Sequence, residues 1–222
     1  KLYPGVDTPL KNKGPADIDF VVVRENTEGE HAQVGGFVYH HQPEEIAIQT
    51  AVFTRRGIER VIRFAFELAS KRPRKHLTLV TKSNAQRHGM VLWDEIFYEV
   101  ARRYPDVKTD RILVDAMTTR MVLKPETIDV VVATNLHADV LSDLAAALSG
   151  SLGIAPTANL NPERKFPSMF EPIHGSAPKY AGKNVINPLA AIAAVSSALR
   201  TAQTHAEMLP IILGYIVFVY WL

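Results

Sequence analysis

Apolar and polar positions along the 222-residue chain change period repeatedly, and the changes predict alternating strands and helices. Ile18-Asp19-Phe20-Val21-Val22-Val23 is short and β-branched, which predicts a buried strand. Residues 24–45 are polar, hold the Gly35-Gly36 pair and predict loop and hairpin, and Ile46 to Phe53 alternates as a strand does. Ile58, Val61, Ile62, Ala65, Leu68 and Ala69 recur at helical spacing and predict an amphipathic helix over residues 55–70.

Leu77 to Thr81 predicts the next strand, and Trp93, Ile96, Phe97, Val100, Ala101 and Tyr104 a helix over about residues 86–104. Arg111 to Val114 and Ile128 to Ala133 predict two more strands, with Asp115 ending the first. Val140, Leu141, Leu144, Ala145 and Leu148 share one face of a helix that stops at Gly150. The alternation argues for an α/β fold around a buried sheet. Residues 151–188 then carry Pro156, Pro162, Pro167, Pro172, Pro178 and Pro188 and predict a long ordered loop, before a helix from Ala190 to Leu199.

Both ends read unusually. The opening Lys1-Leu2-Tyr3-Pro4-Gly5 has no leader pattern. Residues 209–222, LPIILGYIVFVYWL, are almost wholly apolar yet fall short of the ~20 residues a spanning helix needs. The run reads as a buried or interfacial segment, or as the mark of a truncated or mis-spliced product.

Composition narrows the function. Hydrophobic residues make up 47% and charged residues 22%, as in a globular chain. Basic and acidic residues, 25 and 23, nearly balance, so no field points to nucleic acid or membrane. The lack of cysteine excludes disulfides, zinc–thiolate sites and a cysteine nucleophile. Dinucleotide GxGxxG, P-loop, GxSxG and HExxH patterns are all missing.

Several positions carry candidate chemistry. Asp139 and Asp143 lie four apart on a helix that follows a buried strand, a place where α/β proteins bind ligands and where paired carboxylates suit Mg²⁺ or Mn²⁺. The plainer reading is favourable charge near a helix N-terminus. Asp115 can be a third carboxylate or a turn residue. Lys82 follows a buried strand, where desolvation makes a base of it, or it is a solvated lysine. Arg24 can grip a carboxylate through both nitrogens, or pair with Glu25 or Glu28. His174, beside a small-residue turn, can meet a nucleotide. The basic run Lys71 to His76 reads as charge at a helix C-terminus, with a nucleic-acid role the weaker alternative.

Taken in order, DFVVVRENTEGE, VTKSNAQRHGM, VDAM, ATNLHADVLSDLA and FEPIHGSAPKYAGKNVINP resemble the β-decarboxylating dehydrogenases, the isocitrate and isopropylmalate dehydrogenase family, over roughly residues 1–200. KSNAQRHGMVLWDE, NLHADVLSDLA and FPSMFEPIHGSA look closest to its tartrate and D-malate branch. The resemblance implies an α/β/α fold that is not a Rossmann fold. It implies metal-dependent oxidation and β-decarboxylation of a 2-hydroxy dicarboxylic acid such as tartrate or D-malate, with NAD or NADP and Mg²⁺ or Mn²⁺. Isopropylmalate and homoisocitrate are the alternative substrates, and a non-catalytic subunit or inactive remnant the alternative role.

Carried over residue by residue, the resemblance makes Arg24 and Asn84 substrate-binding residues and Lys82 the base. Asp139 and Asp143 would bind the metal from one subunit and Asp115 from the other of a homodimer, with Lys82 also acting across it. Glu171, His174, Gly175, Ser176, Ala177, Lys179, Tyr180 and Asn187 would hold the cofactor. The family usually places a tyrosine acid where this chain has His31, whose unperturbed pKa of about 6.5 also suits proton donation. Lys179-Tyr180 stands where NAD-preferring members carry an acidic residue, and its charge favours a 2′-phosphate and NADP.

The expected organisation is a substrate, metal and dimerisation domain over residues 1–150 with a clasp-like arm around 30–54, a partial nucleotide-binding domain over 151–204 and an anomalous tail over 205–222. Set against the family it resembles, the chain is expected to lack the N-terminal strands and last helices, with exposed apolar surface and poor solubility as the expected result. The expected location is the cytoplasm, with the mitochondrion as the alternative.

Overall fold

Consecutive residues of one strand alternate between two hydrophobic cores, and this alternation builds the layers. The computed structural model describes residues 1–163 and 165–203. Contacts divide the chain into two units, Lys1–Leu148 and Ser149–Leu222. The first holds β1 (Val21–Arg24), β2 (Gly29–Val38), β3 (Ile46–Val52), α1 (Arg55–Lys71), β4 (His76–Thr81), α2 (Gly89–Ala101), β5 (Lys108–Leu113), α3 (Val114–Leu123), β6 (Val130–Ala133) and α4 (Asn135–Leu148). Strands β1, β6, β4 and β5 lie side by side in that order, all parallel.

On one face of this sheet, Val130, Val132, Leu77 and Leu79 pack with Ile58, Ile62, Phe66, Trp93 and Phe97 of α1 and α2. On the other, Val131, Ala133 and Val80 pack with Met117, Met121, Ala138 and Leu141 of α3 and α4. Side chains of a strand alternate faces, and a parallel sheet is covered on both, which is why β6 is apolar at every position. The result is an α/β/α sandwich. Strands β2 and β3 form a separate two-stranded antiparallel ribbon with exposed Val34, Phe37, Val38, Ile46 and Ile48.

Helix α1 starts where the sequence places it, because Thr54 caps it by accepting from the Gly57 amide at 3.0 Å. Glu28 in turn accepts from the Thr54 amide at 2.9 Å and hydroxyl at 2.8 Å. A Cβ on Gly57 would lie 2.4 Å from the Glu28 carboxylate, so a side chain there would displace Glu28 from the cap. After α1, Arg72 donates to buried Asp129 at 2.5 Å and to Asp19 at 3.1 Å. The basic run is therefore built into the fold at Arg72 instead of serving only as charge at the helix end.

Other elements depart from expectation. The first strand starts at Val21, because Ile18 and Phe20 already pack with Leu2 in the core beneath the sheet. The predicted strand at Arg111 begins earlier, at Lys108, and gives way directly to α3. Asp115 thus sits in the first turn of a helix and does not end a strand.

The second unit, too, is more ordered than a proline-rich loop. It contains an antiparallel hairpin, β7 (Pro156–Asn159) with β8 (Met169–Pro172), a 3₁₀ turn at Pro178–Tyr180 and α5 (Leu189–Gln203). Prolines stand at the hairpin's ends, where a missing N–H costs least. Residues 205–222, including the apolar run, lie outside the described residues. No helix among the described residues is long and apolar enough to cross a membrane.

Candidate active site

The carboxyl ends of the four parallel strands gather most of the polar positions singled out in the sequence. Arg24 closes β1, Lys82 follows β4, Asp115 follows β5, and Asp139 and Asp143 lie on α4, which follows β6. Parallel strands point their carboxyl ends one way, so residues far apart in sequence reach one edge of the sheet.

Arg24 directs its guanidinium at α4. Its Nε and Nη2 donate to Asn135 Oδ1 at 2.9 and 2.6 Å, and Nη1 pairs with Asp139. Arg24 therefore does not pair with Glu25 or Glu28. Glu25 is buried and turns back on its own loop, accepting from the Thr27 amide and hydroxyl and the Glu28 amide. Buried Asn135, which sequence reasoning passed over, fixes the direction of Arg24. A polar residue at the first position of a predicted helix opposite a strand-end arginine was the available signal.

Lys82 Nζ donates to Asp115 Oδ1 at 2.5 Å. The lysine is more enclosed than its partner, with side-chain exposures of 28% and 65%. Hydrogen bonding from Lys82 holds the Asp115 carboxyl below its usual range. Ser83, next to Lys82, donates to Asp94 of α2 at 2.7 Å, and Arg111 of β5 donates to the same oxygen at 2.5 Å. Buried Asp94 thereby ties the Lys82–Asn84 turn to β5 and α2. It was also missed, because an acidic residue within a helical stretch reads as solvated. Asn84 is exposed and lines an open cleft of about 610 Å³ with Ser83, Asp94, Tyr98 and Arg111.

His31 lies exposed on β2. Two nearby groups escaped the sequence reading. His137 of α4 is buried with Nδ1 unpartnered, and both Glu30 carboxylate oxygens are also buried and unpartnered. Burial pushes the His137 imidazole below its usual value; the Glu30 charge opposes that shift and Lys82 adds to it.

Asp139 and Asp143 present oxygen donors on one face of α4, and both are open to solvent. That chemistry fits a hard divalent ion such as Mg²⁺ or Mn²⁺. Within one chain, however, Asp115 does not join them. Among the described residues, the one group of three whose ligand atoms lie within 4.8 Å of one another is His40, His41 and Glu45.

The candidate cofactor residues lie in the second unit. Glu171 belongs to β8, and Gly175 and Ala177 adopt left-handed backbone at φ 60° and 42°. His174 Nδ1 contacts the Gly175 carbonyl at 2.7 Å, and Ser176 lies exposed in the same turn. Lys179 Nζ and Lys183 Nζ stand 5.0 and 5.9 Å from the centre of the Tyr180 ring, and Asn187 Oδ1 accepts from the Leu189 amide at the start of α5.

The sandwich thus gathers an arginine, a lysine and carboxylates along one strand edge. The chain belongs to the isocitrate/isopropylmalate dehydrogenase family, which it matches over residues 1–210. It is 64% identical over 190 residues to a probable tartrate dehydrogenase/decarboxylase of Agrobacterium vitis, covering 86% of this chain and 53% of that protein. It is 55% identical over 192 residues to the decarboxylating D-malate dehydrogenase of Escherichia coli, again over 86% and 53%. For the tartrate dehydrogenase/decarboxylase of Pseudomonas putida the identity is 53% over 193 residues, with the same shares. The chain thus spans about half the length of the curated relatives it matches. Among solved structures, the isocitrate dehydrogenase of Methylococcus capsulatus superposes with a TM-score of 0.79 at 40% identity, over 92% of this chain and 57% of that one. A Thermus thermophilus protein gives 0.82 at 40% identity, over 92% and 39%.

Proposed function

We propose that this chain carries the metal- and substrate-binding part of an NAD(P)-dependent decarboxylating dehydrogenase for a 2-hydroxy dicarboxylate such as tartrate or D-malate. The observation that carries this reading is the Arg24–Asn135–Asp139 arrangement at the strand edge, within a stretch 64% identical to a probable tartrate dehydrogenase/decarboxylase.

Asn135 holds the Nε–Nη2 edge of Arg24, and the Nη1 side, which rests on Asp139 in this structure, turns to a substrate carboxylate when Asp139 takes up the metal. Lys82 takes the proton of the substrate hydroxyl. To do so it must give up its proton, so its pair with Asp115 has to open first. Asp139 and Asp143 of one subunit, with Asp115 of a second, would hold a divalent ion, which would supply Lewis-acid polarisation of the hydroxyl and carbonyl oxygens. A nicotinamide cofactor held by the Glu171 to Asn187 stretch would supply the hydride acceptor. Asn84 flanks substrate and nicotinamide, and His31 takes the place of the acid that protonates the enol.

Exposed Val34, Phe37, Val38, Ile46 and Ile48 on the β2–β3 ribbon support its role as a dimerisation arm around residues 30–54. The nucleotide residues are those of the Glu171 to Asn187 stretch. Two lysines beside Tyr180 support binding of a 2′-phosphate, hence NADP over NAD. The reading places a substrate, metal and dimer domain over residues 1–150 and part of a nucleotide domain over 151–204.

The test is Mn²⁺-dependent reduction of NAD⁺ and NADP⁺ on D-malate and on tartrate by the 222-residue chain. Reduction that Lys82→Ala abolishes supports the proposal. A folded, dimeric chain without turnover overturns it in favour of a non-catalytic subunit.

A further inference from the structure

The ribbon that projects from the first unit ends in a polar turn that the dehydrogenase chemistry does not use. Tyr39-His40-His41-Gln42-Pro43-Glu44-Glu45 joins β2 to β3. Tyr39 and His41 adopt left-handed backbone at φ 52° and 65°. The reversal is closed by the Gln42 amide donating to Tyr39 O and the Glu45 amide to Gln42 O, each at 3.0 Å.

This tight path brings three ligand-type side chains together. His40 Nδ1 contacts the Glu45 carboxylate. The His41 ring lies 3.7 Å from the His40 ring, whose centre is 4.4 Å from that of Phe37. One ligand atom from each of His40, His41 and Glu45 falls within 4.8 Å of the other two. All three residues are exposed, so an ion can reach them and water can complete its coordination.

Two imidazole nitrogens and one carboxylate oxygen form a borderline donor set. Such a set selects Zn²⁺, Ni²⁺ or Cu²⁺ and is a poor match for Mg²⁺ or Ca²⁺, which take oxygen. We propose that His40, His41 and Glu45 form a second metal site, for a borderline divalent ion of the Zn²⁺ class, distinct from the carboxylate positions on α4. The ion clips the free end of a two-stranded ribbon, an element that is only marginally stable by itself. This site stands independently of the dehydrogenase reading.

The test is calorimetric titration of the full chain with ZnCl₂ in a non-chelating buffer, with Mg²⁺ saturating the oxygen sites. One equivalent of Zn²⁺ binds, and His41→Ala or Glu45→Gln weakens binding by about tenfold or more. With Cu²⁺, electron paramagnetic resonance shows coupling to two nitrogens, reduced to one in His40→Ala. Circular dichroism of the variants matches the parent, since the turn is exposed. Failure of the parent chain to bind Zn²⁺ overturns the site. So does a His40→Ala/His41→Ala variant that binds Zn²⁺ within tenfold of the parent.

Discussion

Lys82 and Asp115 meet at 2.5 Å although they stand 33 positions apart in the chain, because β4 and β5 are parallel neighbours that end side by side. Their contact holds the Asp115 carboxyl below its usual range. In the proposed mechanism Lys82 acts as a base only once this contact opens.

Lys82→Ala therefore lowers kcat by about 10²–10⁴, the range a positioned base supplies. Asp115→Asn removes the partner carboxylate, and the acid limb of the rate profile then loses the contribution of Asp115. The sign follows from its depressed pKa: interactions of the ionised carboxylate are in place at neutral pH and vanish as pH falls below the ordinary carboxylate range. Steady-state NAD(P)H formation across pH measures both. An unchanged rate in Lys82→Ala removes the lysine from the mechanism.

Asn135→Ala leaves Arg24 with Asp139 alone. The guanidinium fork is then no longer held in direction. KM for the dicarboxylate rises by about tenfold while kcat moves less, the loss of one charge-assisted hydrogen bond. Arg24→Lys cannot rescue the site, because an ammonium lacks the planar fork. Initial-rate measurements over substrate concentration separate the two parameters, and an equal fall in kcat would contradict this role.

His137 makes stability depend on pH. Burial depresses its pKa in the folded state, so the unfolded chain binds the proton more readily. Stability from this group is complete above the unfolded value of about 6.5 and declines as pH falls from there towards the lower folded value. The melting temperature should drop between pH 7.5 and 5.5, and His137→Phe should flatten that drop. Thermal unfolding in matched buffers decides, and an equally steep decline in the variant excludes His137 as the source.

Asp94→Ala removes the acceptor shared by Ser83 and Arg111. Breaking this half-buried arrangement costs about 1–3 kcal/mol of stability. The turn that carries Lys82 and Asn84 also loosens, so kcat falls with little change in KM for the cofactor. Chemical denaturation and kinetics on one preparation test both. Asp94→Asn, which keeps an acceptor for Ser83, restores most of the rate.

How far the sequence carried depended on whether a signal was local. The period of Ile58 to Ala69 located α1, and Val130 to Ala133 read as a buried strand, because burial of these faces leaves its mark in successive residues. The start of α3 was not legible. Leu113 runs into Val114 with no loop and no side-chain cap, so nothing in the chain marks the change. The β7–β8 hairpin was hidden because its short strands, PTAN and MFEP, lack alternation. Asp94, Asn135, Glu30 and His137 were overlooked for one reason: each is a polar residue whose burial comes from packing against a distant segment.

The sequence by itself determined the α/β class, the order of most elements and the residue types able to bind a carboxylate, a hard cation and a nucleotide. Periodicity and motif order are properties of the chain, legible without coordinates. Only the tertiary structure decided that Arg24 turns to Asn135 and Asp139, that Lys82 rests on Asp115, and that His40, His41 and Glu45 converge at one turn. These choices are pairings between groups brought together by strand order and backbone reversal, and the energy of a charge depends on which neighbour folding places beside it.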